Sequence, residues 1–300
     1  MVSETVSGRM VIAGIGLMAG GIFLFAVNDA LGKWLVATYS VGQLLLIRSL
    51  AAFALLAPFI RRDAATFAAA PRRGLQALRA ALATIEVACF YWAVAYLPLA
   101  DVMTYYLAGP IFVTAIAGAA LGEPIGWRRW AAVLVGFLGV IVCLRPGTAT
   151  LTWPALIALA GSFTFSLSMI ATRYLRGTSD TVLVTTQTVG ALAFGLVAAP
   201  FAWVAPSARD AALLALLGIV AMIAHVCVNR SLKLAPASVV VPYQYTTIIW
   251  AVLFGYLVFG DVPDWWMIAG AAIIIGAGLF IYLREQRLAR REPSFSEPPP

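Results

Sequence analysis

The sequence predicts an all-α polytopic membrane protein: ten transmembrane helices in a 5+5 inverted repeat. Three observations predict it. The 300 residues are 62% hydrophobic and only 11% charged, with a mean hydropathy of +0.94, whereas a soluble domain carries about 25% charged residues. Ten segments approach or exceed the roughly 20 apolar residues needed to span a bilayer. A stretch of the first half also returns in the second half at nearly constant register, and a fixed repeat constrains a whole fold.

The first copy of that stretch is Leu97-Pro98-Leu99-Ala100-Asp101-Val102-Met103-Thr104-Tyr105-Tyr106, then an apolar run, then Leu121-Gly122-Glu123-Pro124. The second runs from Ala235-Pro236-Ala237 through Pro242-Tyr243-Gln244 to Phe259-Gly260-Asp261-Val262-Pro263. Pro98 matches Pro236, Tyr105 matches Tyr243, and Glu123 matches Asp261. Each copy reads as a proline-broken start, one helix of membrane length and a Gly-acid turn. Phe23-Leu24-Phe25-Ala26 with Lys33-Trp34-Leu35 resembles Phe163-Thr164-Phe165-Ser166 with Arg173-Tyr174-Leu175, and Pro58-Phe59 resembles Pro200-Phe201.

In chain order, residues 1–9 are a polar tail. The predicted spans are 10–34, 41–60, 74–97, 99–121, 127–144, 152–172, 181–203, 210–232, 237–259 and 265–283. The first begins near Met10 and outruns the h-region of a cleavable signal, so it stays as a membrane helix. Leu97-Pro98-Leu99 and Ala235-Pro236-Ala237 are tight turns, because the residue before a proline disfavours helix. Trp34, Trp127, Trp203, Trp265 and Trp266 sit at span ends as interfacial belt residues. The units are a first repeat over 10–145, a second over 152–283, and a charged, then Pro-rich tail over 284–300, with the last helix running to about Arg291.

Lys and Arg set the orientation. With a cytoplasmic N-terminus the inner loops hold Arg61, Arg62, Arg72, Arg73, Arg128, Arg129, Arg173, Arg176, Arg230, Lys233 and the tail arginines, while the outer side holds Lys33, Arg145 and Arg209. Both termini are therefore expected in the cytoplasm of a bacterial inner membrane. Five spans separate equivalent points, and five is odd, so the halves run upside down to one another. Gly122-Glu123-Pro124 is followed by Trp127-Arg128-Arg129, whereas Gly260-Asp261 is followed by Trp265-Trp266-Met267 without the basic pair. Inverted repeats mark secondary transporters, with substrate at the repeat interface near the midplane.

Several classes are excluded. The net charge of +7 sits in short loops and the tail, not on a nucleic-acid-binding stripe. Cys89, Cys143 and Cys227 lie singly in apolar runs, without the spacing of metal or redox sites. No phosphate-binding loop, HExxH or plausible Ser/His/Asp set is present, so neither ATP drive nor enzymatic chemistry is expected, and no cofactor or metal.

Polar groups in the bilayer core need a reason, since a central charge costs about 2.5–3.5 kcal/mol on insertion scales. Asp29 and Arg48 lie on adjacent spans. They form either an ion pair fixing the two helices or a gate, with Arg48 suited to two-point contact with a carboxylate. Glu86, mid-span, either binds a substrate ammonium or carries a proton, with Arg79 two turns earlier as an internal partner. His225, the single histidine, is either a hydrogen-bonded core residue or a donor to substrate, with Asn229 one turn on. Tyr105 and Tyr243 are repeat-equivalent and either line a cavity across from each other or simply pack; Gln244 and Tyr245 follow.

The pattern resembles the EamA-type members of the drug/metabolite transporter superfamily. The resemblance rests on Phe25-Ala26-Val27-Asn28-Asp29, on Pro98 through Gly122-Glu123-Pro124 and on Pro236 through Gly260-Asp261, and covers about 10–283. Within the superfamily, Asn28-Asp29-Ala30 through Lys33, with Gln43 and Arg48-Ser49, is most similar to the branch around the bacterial aromatic amino-acid exporter. The resemblance implies a basket of ten helices around a central cavity lined by spans 1, 3, 4, 6, 8 and 9. It also implies a monomer in the lipid bilayer, exporting aromatic and hydrophobic amino acids by alternating access. Uptake of a flavin or nucleoside-like metabolite is the alternative. Tyr105, Tyr243 and Tyr245 would be the walls; Asn28, His225, Asn229 and Gln244 the hydrogen-bonding groups; Glu86 and Arg48 the charge recognition; and Asp29 with Arg48 the gate.

Overall fold

A computed structural model describes residues 8–68, 70–120, 127–144, 152–175, 177–234 and 241–289. Among these, every regular element is helical: α1 (Gly8–Val36), α2 (Val41–Arg62), short α3 (Ala64–Ala68), α4 (Arg73–Val94), α5 (Leu99–Tyr106), α6 (Gly109–Ala120), α7 (Trp127–Leu144), α8 (Trp153–Tyr174), α9 (Asp180–Ala198), α10 (Ala208–Leu234), α11 (Thr247–Phe254) and α12 (Trp265–Ala289). Six stretches are long and apolar enough to cross a membrane: Ile12–Val36, Val41–Arg62, Arg73–Val94, Trp153–Thr172, Asp180–Ala202 and Ala208–Val228. Leu99–Val113, Trp130–Cys143, Thr247–Phe259 and Trp265–Phe280 are shorter apolar helical stretches. The turns at Gly122-Glu123 and Ala235-Pro236, and the tail beyond 289, lie outside the described residues.

Local chemistry sets the helix starts. Ser40 caps α2 by accepting from the Gln43 amide (3.2 Å), and Ser179 caps α9 by accepting from the Val182 amide (3.3 Å). Asp264 does the same for α12 through the Met267 amide (2.9 Å).

The predicted fourth and ninth spans are not single helices. The chain turns at Leu107-Ala108 between α5 and α6. Pro110 is the cause: it lacks an N–H to donate to the carbonyl four residues back, on Tyr106. The Tyr106 carbonyl accepts instead from the Ser162 hydroxyl (3.4 Å), so α8 supplies the donor that Pro110 cannot, and Ser166 adds a second bond from α8 to the Gly109 carbonyl (3.0 Å). The ninth is a 3₁₀ turn over Val241–Thr246, then α11, then a π-helical turn over Gly255–Phe259. Gly260 closes it at φ 70°, a left-handed conformation cheap only for glycine.

α1 packs along α10, α4 along α8, α2 along α9, and α7 along α12. Each of these pairs is antiparallel. The Ser231 hydroxyl of α10 donates to the Gly14 carbonyl of α1 (2.7 Å), while Asn28 at the other end of α1 reaches Leu217 (2.6 Å). A Cβ at Gly136 would meet Ala277, one at Gly139 would meet Ile274, and one at Gly270 would overlap Cys143, so α7 and α12 run in opposite directions at close range.

Loop contacts sort into two ends of the bundle. At one end Tyr39 donates to Asp210 (2.7 Å), which holds the Tyr39 phenol proton above its ordinary range. There too the Gln43 amide exchanges both its hydrogen bonds with the Val204 backbone (2.6 and 3.0 Å). At the other end Thr181 donates to Asp63 (2.7 Å) and Arg72 to the Tyr174 carbonyl (3.2 Å).

Arg79 joins three helices. Its guanidinium donates to Thr172 on α8 (2.8 Å) and to the Leu183 carbonyl (3.0 Å) and Gln187 (3.2 Å) on α9. It is therefore not the internal partner of Glu86 that their spacing on one helix suggested; the fork reaches neighbouring helices instead. Arg79→Met strands those acceptors and is expected to destabilise the fold by about 2–5 kcal/mol, since hydrogen bonds to charged groups contribute about 1.5–3 kcal/mol each. Thermal unfolding of the purified protein in detergent measures it, and an unchanged midpoint refutes the clamp.

Candidate functional site

Five helices bring polar groups together in the middle of the bundle. Asn28, buried on α1, donates to the Leu217 carbonyl of α10 (2.6 Å) and accepts from the Tyr91 hydroxyl of α4 (3.1 Å). Tyr91 in turn accepts from Arg48 Nη1 of α2 (3.0 Å), and the guanidinium lies 5.6 Å from the Tyr91 ring centre. This relay of backbone carbonyl, amide, phenol and guanidinium fixes Arg48, which pairs with no carboxylate among the described residues. A side chain at Gly218 would overlap the Arg48 carbonyl, so α10 must meet α2 through a glycine at this level.

Asp29 and Glu86 lie within electrostatic reach of each other and of Arg48. Both are half-buried, and neither makes an ion pair or side-chain hydrogen bond among the described residues. The direct Asp29–Arg48 pair suggested by adjacent spans is absent, because Tyr91 takes the guanidinium. The backbone carbonyl of Glu86 accepts from the Tyr106 hydroxyl (3.0 Å), which places a second phenol against α4 beside the carboxylates.

His225 on α10 sets Nδ1 against its own helix carbonyl at Ala221 (2.8 Å) and meets the Phe25 ring edge-on at 4.7 Å. It shares a cavity of about 60 Å³ with Arg48, Val87, Gln187, Thr188 and Met222. That is room for a few waters, far below the roughly 300 Å³ of a small-molecule site. In this conformation the helices are closed around the polar cluster.

The other sequence-predicted residues are placed differently. Tyr105 is buried in the main core, while Tyr243 packs with Met18, Ile22 and Trp250 in a separate cluster, so the repeat-related pair does not face across one cavity. Gln244 is half-buried in the 3₁₀ turn. The side chains of Asn229 and Tyr245 lie outside the described residues.

Sequence reasoning missed two features. Tyr91 was given no role, and Tyr106 only a place beside Tyr105; for Tyr106 the usable signal was a phenol well inside a predicted span, where the membrane-belt explanation is weak, whereas Tyr91, close to the end of α4, carried none. The other is an ion pair. Lys33 Nζ at the end of α1 contacts Asp261 Oδ2 at 2.6 Å, with side chains 13% and 23% exposed. The same ammonium donates to the Leu97 carbonyl (3.2 Å) and sits 4.6 Å from the Phe259 ring centre. It is the ion pair found among the described residues, and it ties α1, the α4–α5 turn and the turn before α12 at one end of the bundle.

The sequence pattern of the EamA-like transporter family matches the chain twice, over residues 12–145 and 152–283. A riboflavin transporter of Vibrio cholerae is 30% identical over 73% of this chain and 74% of its own. An S-adenosylmethionine uptake transporter of Rickettsia felis is 24% identical over 94% and 96%. A pseudopaline exporter of Pseudomonas aeruginosa is 27% identical over 88% and 94%. A solved crystal structure superposes with a TM-score of 0.62 over 94% of this chain and 99% of the other, at 16% identity, a likeness of fold. These relatives handle solutes other than the aromatic amino acids that the sequence resemblance implied.

Proposed function

The chain belongs to the EamA-like transporter family, and from that premise we propose that it is an alternating-access carrier for small solutes that join an α-amino acid head to a ring. The observation that carries this reading is the central pairing of two carboxylates, Asp29 and Glu86, that make no ion pair or side-chain hydrogen bond among the described residues, with one arginine held by a phenol. A solute ammonium is the missing partner for the carboxylates. A solute carboxylate suits the outer fork of Arg48. Tyr91, Tyr106, Phe25 and His225 supply ring surfaces. S-adenosylmethionine and the aromatic amino acids both have such a head; riboflavin lacks it.

The carrier reading takes the chain as ten spans in two inverted repeats within a bacterial inner membrane, with both termini cytoplasmic. The helix pairings support this. α1 with α10 is mirrored by α4 with α8, and α2 with α10 by α4 with α9, as a two-fold axis in the membrane plane requires. The antiparallel α7 and α12 put the turn at Asp261 and the start of α7 at opposite ends. The Lys33–Asp261 pair joins the two repeats at the outer end and serves as the outer gate, in place of Asp29 with Arg48. With no ATP-binding loop in the sequence, the direction of net transport follows the gradients of the solute and of any proton carried with it.

Counterflow in proteoliposomes tests the reading. Vesicles loaded with phenylalanine or S-adenosylmethionine are expected to take up the labelled compound saturably and with preference for the L-head. Exchange of riboflavin without exchange of either would overturn the head-group assignment and favour a flavin carrier.

A further inference from the structure

A second, larger space lies away from the central cluster. It is a furrow of about 610 Å³ between α4 and α9, capped by α3. On α4 it runs from Arg73 through Ala77 and Ala81 to Ile85, about 18 Å at 1.5 Å per residue. That is close to the depth of one leaflet, half of a hydrocarbon core about 30 Å thick. Small residues make the floor: a Cβ at Gly190 would meet Thr84 Oγ1 and the Ala80 carbonyl, so the two helices touch beneath it. Phe67, Val182 and Val189 make the walls.

The polar groups within the furrow offer a solute nothing. Thr84 donates to Ala80 (2.8 Å), Thr186 to Val182 (2.9 Å), and Gln76 to the Pro71 carbonyl (2.5 Å). A hydroxyl spent on its own helix leaves an apolar surface, which suits a hydrocarbon chain. The α3 end is charged instead. Arg61 and Arg62 at the end of α2, and Arg72 and Arg73 at the start of α4, are all exposed. The carboxylates nearby are Asp63, which accepts from Thr181, and Asp180. Cationic groups therefore outnumber acidic ones two to one at the mouth. The positive-inside rule puts this mouth at the cytoplasmic surface, and basic pockets between spans on that side hold anionic head groups.

We infer that the α4–α9 furrow is a binding site for an anionic glycerophospholipid of the inner leaflet, one acyl chain lying along Ala77 and Ala81 and the phosphate held by Arg72 and Arg73. This site is separate from the central cluster and does not depend on the identity of the transported solute. An anionic lipid seated there braces α4 against α9, which lie in opposite repeats of the proposed carrier.

Native mass spectrometry of the full chain, released from neutral detergent and titrated with phosphatidylglycerol or phosphatidylcholine, tests it. Phosphatidylglycerol is expected to bind roughly five- to thirtyfold more tightly: both head groups carry a phosphate, but the choline ammonium cancels its charge, so the attraction of one or two arginines is kept in full only for the net anionic lipid. Arg72→Gln with Arg73→Gln should remove that preference while leaving weak binding of both lipids. Ala81→Phe should fill the furrow and abolish retention of both, with the thermal midpoint unchanged. Glycerophosphoglycerol, the head group without chains, should not compete. The inference fails if the two lipids bind equally to the unaltered protein, if the preference survives loss of both arginines, or if the chainless head group competes. It also fails if Ala81→Phe instead abolishes a dimer, which would make the furrow an interface between copies.

Discussion

Asp29→Asn combined with Glu86→Gln is expected to raise the KM for an ammonium-bearing solute by about a hundredfold or more, while the protein folds normally. Each hydrogen bond to a charged group is worth about 1.5–3 kcal/mol, and each 1.4 kcal/mol is about tenfold in affinity. Folding should be spared because neither carboxylate makes an ion pair or side-chain hydrogen bond among the described residues, so the amides strand no partner there. The single variants separate the roles. If both carboxylates grip the ammonium, each costs part of the affinity. If one only carries a proton, its amide variant keeps KM and loses the response to a pH gradient. Substrate titration by calorimetry and counterflow reads both. Unchanged KM in the double variant would remove the ammonium site and the functional reading built on it.

Reversing one charge of the Lys33–Asp261 ion pair should cut transport about ten- to a hundredfold, and swapping both should restore most of it. Lys33 and Asp261 are largely buried at 2.6 Å, and breaking such a pair from one side costs about 3–5 kcal/mol because the other charge is left without a partner. Lys33→Asp leaves two carboxylates facing each other and empties the Leu97 carbonyl of its donor. The conformation closed at that end is then lost, and the carrier cannot complete a cycle that passes through it. Lys33→Asp with Asp261→Lys re-forms the pair but not the contact with the Leu97 carbonyl, so recovery to within a few-fold is expected. Exchange rates at saturating solute, with surface expression as control, make the measurement. A double variant no better than either single variant would leave Lys33 and Asp261 as separate structural residues.

Much of the fold was legible because bilayer physics acts on short stretches. A span must be apolar for about 20 residues, and α1, α2, α4, α8, α9 and α10 begin and end within a few residues of the expected limits. The fourth and ninth spans were misjudged as unbroken, although Pro110 and Pro242 were visible. Hydropathy measures what can enter lipid, not whether the backbone can close its hydrogen bonds. The donor that makes the break at Pro110 tolerable, Ser162, is more than fifty positions away.

The central residues were legible one at a time and illegible as pairs. Asn28, Asp29, Arg48, Glu86 and His225 stood out because a polar group in a span needs a reason. Their partners did not follow. Arg48 was matched to Asp29 and found Tyr91; Arg79 was matched to Glu86 and found Thr172, Leu183 and Gln187; Lys33 was left as a flanking charge and found Asp261. Long side chains select among several helices within reach, and that choice depends on rotation and crossing angle, which no local pattern encodes.

By itself, then, the sequence determined the solvent the chain lives in, the recurrence of one half in the other, and the helix on which each costly polar group sits, because these follow from transfer free energy counted along the chain. The tertiary structure alone decided which of those groups meet, where the bundle is latched and where its outer surface is furrowed. Those depend on distances between residues up to 228 positions apart, set by how the helices pack against one another.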